Sequence, residues 1–200
     1  ANMTMDAWNM YSIDKRPQLL VFAGPNGSGK STVTRSHKIV GQYINADKIK
    51  AAKGCTDLEA AQEAERLREY MLTRRMDFTF ETVLSTPRNL LLIQRAHNAG
   101  YFVRVVFVLT KDSSINVQRV ADRVRKGGHD VPEEKIRSRY EKSLNNIREL
   151  YKVVDELLVY DNSGAFPVLI SSVHDHMMTY YENDQWSRSD VLNLFYAPEP

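Results

Sequence analysis

Between Leu19 and Thr32 the chain reads LLVFAGPNGSGKST, an apolar run that passes directly into a glycine-rich loop. Residues Gly24-Pro25-Asn26-Gly27-Ser28-Gly29-Lys30-Ser31 fit G-x-x-x-x-G-K-[ST], and Thr32 comes next. Leu19 to Phe22 reads as a short buried strand, and Ser31 to His37 can begin a helix. That strand–loop–helix context separates a phosphate loop from a chance match. Glycines let successive backbone N–H groups turn inward toward an anion. The helix start adds unsatisfied N–H groups and the positive end of its dipole. In such a loop Lys30 reaches the β/γ-phosphates and the Ser31 hydroxyl holds Mg²⁺. The chain is therefore expected to bind a nucleoside triphosphate through Gly24 to Thr32.

Beyond the loop, strands alternate with helices. Tyr43-Ile44 predicts a second strand that ends at Asn45-Ala46-Asp47. Thr56-Asp57-Leu58-Glu59 is a capping box opening a helix to about Arg74. Phe78-Thr79-Phe80 predicts a third strand running into Glu81-Thr82, and Thr86-Pro87 starts a helix that Gly100 ends. Tyr101 to Leu109 is almost continuously apolar, as in a parallel sheet covered on both faces. Helices are expected over about 113–125 and 132–154, and strands over 157–160 and 168–173. The expected fold is a three-layer α/β domain with a mostly parallel sheet. It spans residues 1–200, with an N-terminal extension to residue 16 in which Met5, Trp8 and Met10 could dock a short helix. A C-terminal strand and tail cover 166–200.

In such sheets ligands bind beyond the C-terminal strand ends. Asp47 and Glu81 each come directly after a strand there, which makes both candidates for chemistry beside the γ-phosphate. A basic segment runs from Arg119 through Arg123, Arg125 and His129 to Arg137 and Arg139, with Gly127-Gly128 inside it. It predicts a lid over about 119–140, hinged at the glycines. Arginine suits that task because its planar fork binds phosphate oxygens bidentately. Helical spacing puts Arg119 and Arg123 on one face and turns Arg125 elsewhere. His174-x-His176 would share one face of a strand, but without a third ligand the pair does not make a metal site.

The bulk properties narrow the partners. A formal net charge of +2 is too small to draw nucleic acid or a membrane by field alone. The single cysteine, Cys55, excludes an internal disulfide and fits a reducing cytoplasm. No run approaches a membrane span, and no signal peptide is visible.

Taken together, GPNGSGKST, INADKI, FETVLST and RVRKGGHDVP…IRSRYEKSLNN resemble the zeta-toxin-like family of small P-loop kinases, over about residues 17–165. The resemblance implies transfer of the γ-phosphoryl of ATP or GTP, with Mg²⁺, to a hydroxyl of a UDP-activated amino sugar such as UDP-N-acetylglucosamine. It implies that Asp47 is the catalytic base and that Glu81, with Thr82 beside it, holds the acceptor. The lid arginines match Arg125 and Arg139, with Arg123 as the alternative. An antitoxin protein is the partner it implies. Other acceptors, a nucleic-acid end or an antibiotic hydroxyl, and a nucleotide-gated binding module are the competing readings.

Overall fold

The computed structural model describes residues 15–197; the expected helix around Met5, Trp8 and Met10 lies outside them. The strands are β1 (Gln18–Ala23), β2 (Gln42–Ile44), β3 (Phe78–Thr82), β4 (Phe102–Leu109), β5 (Glu156–Asp161), β6 (Val168–His174) and β7 (Met177–Tyr180). The helices are α1 (Lys30–Thr34), α2 (Ala46–Lys53), α3 (Asp57–Thr73), α4 (Pro87–Asn98), α5 (Ser113–Arg125), α6 (Glu133–Asn145), α7 (Ile147–Val153) and α8 (Arg188–Phe195). One sheet runs in the order β2-β3-β1-β4-β5-β6-β7. It is parallel from β2 to β5 and antiparallel from β5 to β7.

Alternation along β1 divides the core into layers. Leu19, Val21 and Ala23 pack with side chains of α3, α4, α7 and α8 on one face. Leu20 and Phe22 pack on the other, against Val33 of α1 and Val106 and Val108 of β4. Sheet and two helical coverings give the expected three-layer α/β fold. The β1 strand sits between β3 and β4, so the loop after it opens at the middle of the sheet, where the chain leaves for β2 on one side and β4 continues on the other.

Three elements differ from the sequence expectation. Asp47 lies in the first turn of α2, a helix not expected from the sequence. Asn45 caps that helix by accepting from the Asp47 and Lys48 amides, and Gly54 closes it at φ 64°. No α2 side chain is fully buried, so the segment lacks the apolar stripe by which a helix is read. The long helix expected from Pro132 is broken at Asn146 into α6 and α7. The residue after β6 does not continue a strand: Asp175 and His176 adopt φ 47° and 64°, the left-handed pair of a two-residue hairpin turn leading to β7. His174 ends β6 and His176 sits in that turn, so the two do not share a strand face. Among the described residues no cluster of three or more His, Cys, Asp or Glu could hold a metal ion, and no helix is long and apolar enough to cross a membrane.

Candidate active site

The phosphate loop is shaped by what surrounds it. A Cβ on Gly24 would stand 2.1 Å from the Val108 carbonyl oxygen, and one on Gly29 would stand 2.2 Å from Asn162 Nδ2. Gly29 also sits at φ 82°, in the left-handed region, where it starts α1. Two buried amides grip the loop from behind. Asn116 of α5 donates to the Asn26 carbonyl at 2.9 Å, and Asn162, just past β5, donates to the Ser28 carbonyl at 2.9 Å. Asn116 is itself bonded by the Thr110 hydroxyl, while Tyr140 of α6 donates to the Thr110 carbonyl at 2.6 Å. Arg139 reaches the Asn26 side-chain oxygen at 3.2 Å, and Arg119 donates to the Asn162 carbonyl at 2.6 Å. The loop is thus fixed by α5, α6 and the end of β5, and not only by its own glycines.

Lys30 Nζ donates to the carbonyls of Gly24 at 2.7 Å and Pro25 at 3.2 Å. The residue as a whole is half-buried. Burial around the ammonium, opposed by Glu81, lowers its pKa to about 8. Arg123 lowers it further and Asp47 raises it, so these four charges share one neighbourhood.

They line a cleft of about 370 Å³ with Gly27, Gly29, Ser31, Asn45, Arg119 and Val120. The same cleft continues past Lys30 and Glu81 to Asn26, Thr82 and Val83. Beyond Asp47 and Arg123 it opens between Lys50, Gly54, Cys55 and Asp57 on one side and His129 on the other. Within it Glu81 is held firmly: Tyr43 Oη donates to its Oε2 at 2.8 Å and Asn45 Nδ2 at 3.2 Å. Burial pushes the Tyr43 phenol up to about 12, so it stays a donor at any physiological pH. Asn45 therefore serves twice, capping α2 with its oxygen and fixing Glu81 with its nitrogen.

The structure brings Lys30, Ser31, Asp47, Glu81 and Arg123 to one cleft, with Asn26 and Thr82 at its extension and Arg139 at its rim. It does not bring Arg125 there. That side chain is 68% exposed and pairs with Asp122. The reason is helical phase: Asn116 and Val120 are buried, and the face they share with Arg119 and Arg123 turns toward the cleft that both arginines line, which leaves Arg125 on the far side. Asn116 and Asn162 carry the loop yet stand in no motif, and Arg119, expected in the lid, joins them there. For Asn116 the signal was available only as the α5 face it shares with 119, 120 and 123. We expect Arg125→Ala to leave turnover within about twofold of the parent, whereas Arg123→Ala lowers it by about 10²; steady-state rates on the two variants check this.

The sheet order, the Gly24–Ser31 loop and the acids beside it define a P-loop kinase. The family model described as Zeta toxin matches residues 41–173, and the chain belongs to the zeta toxin family. The match begins after the phosphate loop, so loop and family model are separate observations. An uncharacterized protein of Haemophilus influenzae is 27% identical over 127 residues, which cover 60% of this chain and 91% of that protein. Among solved structures, the AvrRxo1-ORF1:-ORF2 complex superposes with a TM-score of 0.65 at 14% identity, over 82% of this chain and 61% of that one. The chain thus spans about three fifths of the AvrRxo1 chain's length. A structure from the PezAT chromosomal toxin–antitoxin system of Streptococcus pneumoniae has a TM-score of 0.59 at 16% identity, over 93% of this chain and 81% of that one. At these identities the likeness is one of fold.

Proposed function

We propose that this protein transfers the γ-phosphoryl group of ATP or GTP to a hydroxyl of a UDP-activated amino sugar such as UDP-N-acetylglucosamine. The observation that carries the transfer is the meeting of Lys30, Asp47, Glu81 and Arg123 at the mouth of the phosphate loop. The family supports the acceptor class. An AvrRxo1-ORF1:-ORF2 crystal structure with ATP supports ATP as donor.

In this reading the loop amides and Lys30 hold the β- and γ-phosphates, and Lys30 exchanges its carbonyl partners for phosphate oxygens. Ser31 and Thr32 present exposed hydroxyls at the first turn of α1. Ser31 lines the cleft, and its hydroxyl would hold Mg²⁺, a hard cation that takes oxygen ligands. When bound, that ion supplies charge neutralisation on the phosphates. Glu81, immobilised by Tyr43 and Asn45, orients the acceptor hydroxyl beside Thr82. Asp47 takes its proton as the acceptor oxygen bonds to the γ-phosphorus and the bond to the β-phosphate oxygen breaks, releasing the nucleoside diphosphate. Arg123 and Arg119 face the charge that builds on the transferring group, with Arg139 at the rim. Positioning and charge stabilisation carry such a reaction. The segment 119–140 covers the nucleotide as a lid whose two ends stay bonded at Arg119 and Arg139, and an antitoxin protein is the expected macromolecular partner.

Incubation with Mg²⁺ and ATP or GTP against a panel of UDP-sugars, read by mass spectrometry, tests the reading. A UDP-amino sugar gaining one phosphoryl group is the expected result. A nucleoside diphosphate released with every sugar unchanged would remove the acceptor assignment.

A further inference from the structure

Leu84 is buried, is not glycine, and sits at φ 55°. Leucine adopts that left-handed backbone only where its surroundings impose it. The residue lies in the turn just after Glu81, and the turn is tied on every side. The Thr82 hydroxyl accepts from the Leu84 amide and from Asn89 Nδ2, both at 2.9 Å. The Thr82 carbonyl accepts from the Gly24 amide of the phosphate loop at 3.2 Å. The remaining ties come from α6 and its end. Ser143, fully buried, donates to the Val83 carbonyl at 2.8 Å, and Asn146 Nδ2 donates to the Leu84 carbonyl at 2.8 Å.

Ser143 and Asn146 stand four and seven residues beyond Arg139, hence on the same helical face. Arg139 holds Asn26 of the phosphate loop, and Tyr140, between them, holds the end of β4 through Thr110. One face of α6 therefore bonds both the nucleotide loop and the turn that carries Thr82 and Val83 into the cleft. The break at Asn146 belongs to this arrangement, because the residue that ends α6 spends its side chain on Leu84.

We propose that α6 is a strut coupling the phosphate loop to the acceptor-side turn, with Ser143 and Asn146 as positioning residues that keep residues 82–85 in their strained conformation. Neither need touch a substrate. Each holds a main-chain carbonyl whose displacement would move Thr82 and Val83 relative to Glu81. The coupling rests on nucleotide binding at the phosphate loop; its consequence for catalysis also rests on the acceptor reading above.

The test compares the parent, Ser143→Ala, Asn146→Asp and Ser143→Thr, which keeps the hydroxyl. Asn146→Asp keeps the shape and loses the donor. Amide hydrogen exchange is followed with and without Mg²⁺ and a non-hydrolysable ATP analogue. In the parent, nucleotide slows exchange over 82–86. In Ser143→Ala and Asn146→Asp, exchange there rises by about tenfold, the size expected for a lost buried hydrogen bond, and responds to nucleotide less than in the parent, through the Gly24–Thr82 bond that remains. Exchange in β1, β4 and the rest of α6 stays at parent levels, and Ser143→Thr behaves as the parent. On a UDP-sugar that the parent phosphorylates, the acceptor KM rises about tenfold while nucleotide affinity holds. Unchanged exchange at 82–86, or a rise spread evenly over the whole protein, overturns the proposal. If the parent phosphorylates no UDP-sugar, the acceptor reading falls alone, and the exchange data still decide the coupling.

Discussion

Replacing Lys30 with methionine is expected to lower phosphoryl transfer by about 10²–10³, the usual cost of removing one charged group from a transition state, while leaving the protein folded and at least as stable. Both effects have one cause. Lys30 carries its ammonium into an enclosed site, where burial brings its pKa from 10.5 down to about 8. That difference corresponds to about 3 kcal/mol against the charged form, offset in part by the hydrogen bonds to Gly24 and Pro25. Methionine keeps the apolar stem and removes the buried charge, at the cost of leaving those carbonyls to water. A group placed against stability in this way is one whose use lies elsewhere. Thermal unfolding and triphosphate titration on the same sample check both effects. A Lys30→Met protein that binds and turns over normally would take the residue out of the site.

The same lysine sets a pH dependence with a definite sign. Its folded pKa lies below the unfolded value, so between about 8 and 10.5 the unfolded chain binds more protons and stability rises with pH. Triphosphate affinity moves the other way. Bound phosphate favours the ammonium, so binding takes up a proton above pH 8 and weakens by roughly tenfold per pH unit there, while it is flat below. Methionine at position 30 abolishes both slopes.

How much of this was legible beforehand varies with range in sequence. The phosphate loop, the capping box at Thr56 and the apolar strand Tyr101–Leu109 are local signals, and the structure carries each of them. Glu81 was readable as an acid at the end of an apolar strand, although it lies within β3, paired with Phe22, rather than directly after it. The α2 helix was not, because only Ala46 and Ile49 pack against the core, neither fully buried, and otherwise its Asn45 cap and Gly54 stop alone mark it. The grip of Asn116 and Asn162 on the loop links residues 90 and 134 positions apart in the chain, and no spacing rule reaches that far. Arg125 illustrates a different limit. Its place opposite Arg119 and Arg123 comes from helical phase, but which face of α5 turns inward is decided by Asn116 and Val120, whose burial only the packed fold reveals. Of the two arginines the resemblance offered, Arg125 and its alternative Arg123, helix geometry brings Arg123 to the cleft, together with Arg119.

Asp47→Asn is expected to bind nucleotide as the parent does and to lose transfer by about 10²–10⁴, the usual contribution of a general base. The two acids of the cleft are distinguished by how they are held. Glu81 has Tyr43 and Asn45 donating to the same oxygen, which holds the carboxylate in place and suits it to the proposed orienting role. Asp47 projects from the first turn of α2, a helix that buries no side chain completely, so it can move with a proton as the acceptor oxygen advances. Asparagine there keeps the shape and cannot take the proton. Its effect on α2 is small, since one first-turn charge against the helix dipole is worth about 0.3–1 kcal/mol and the Asn45 cap is untouched. Glu81→Gln should act chiefly through the acceptor, raising its KM, because the amide retains one accepting oxygen. Single-turnover rates with saturating nucleotide separate the two. Transfer by Asp47→Asn within about threefold of the parent is far below a base's share and would pass the role to Glu81. Failure of Asp47→Asn to bind Mg²⁺-nucleotide would instead make Asp47 part of the donor set around Ser31.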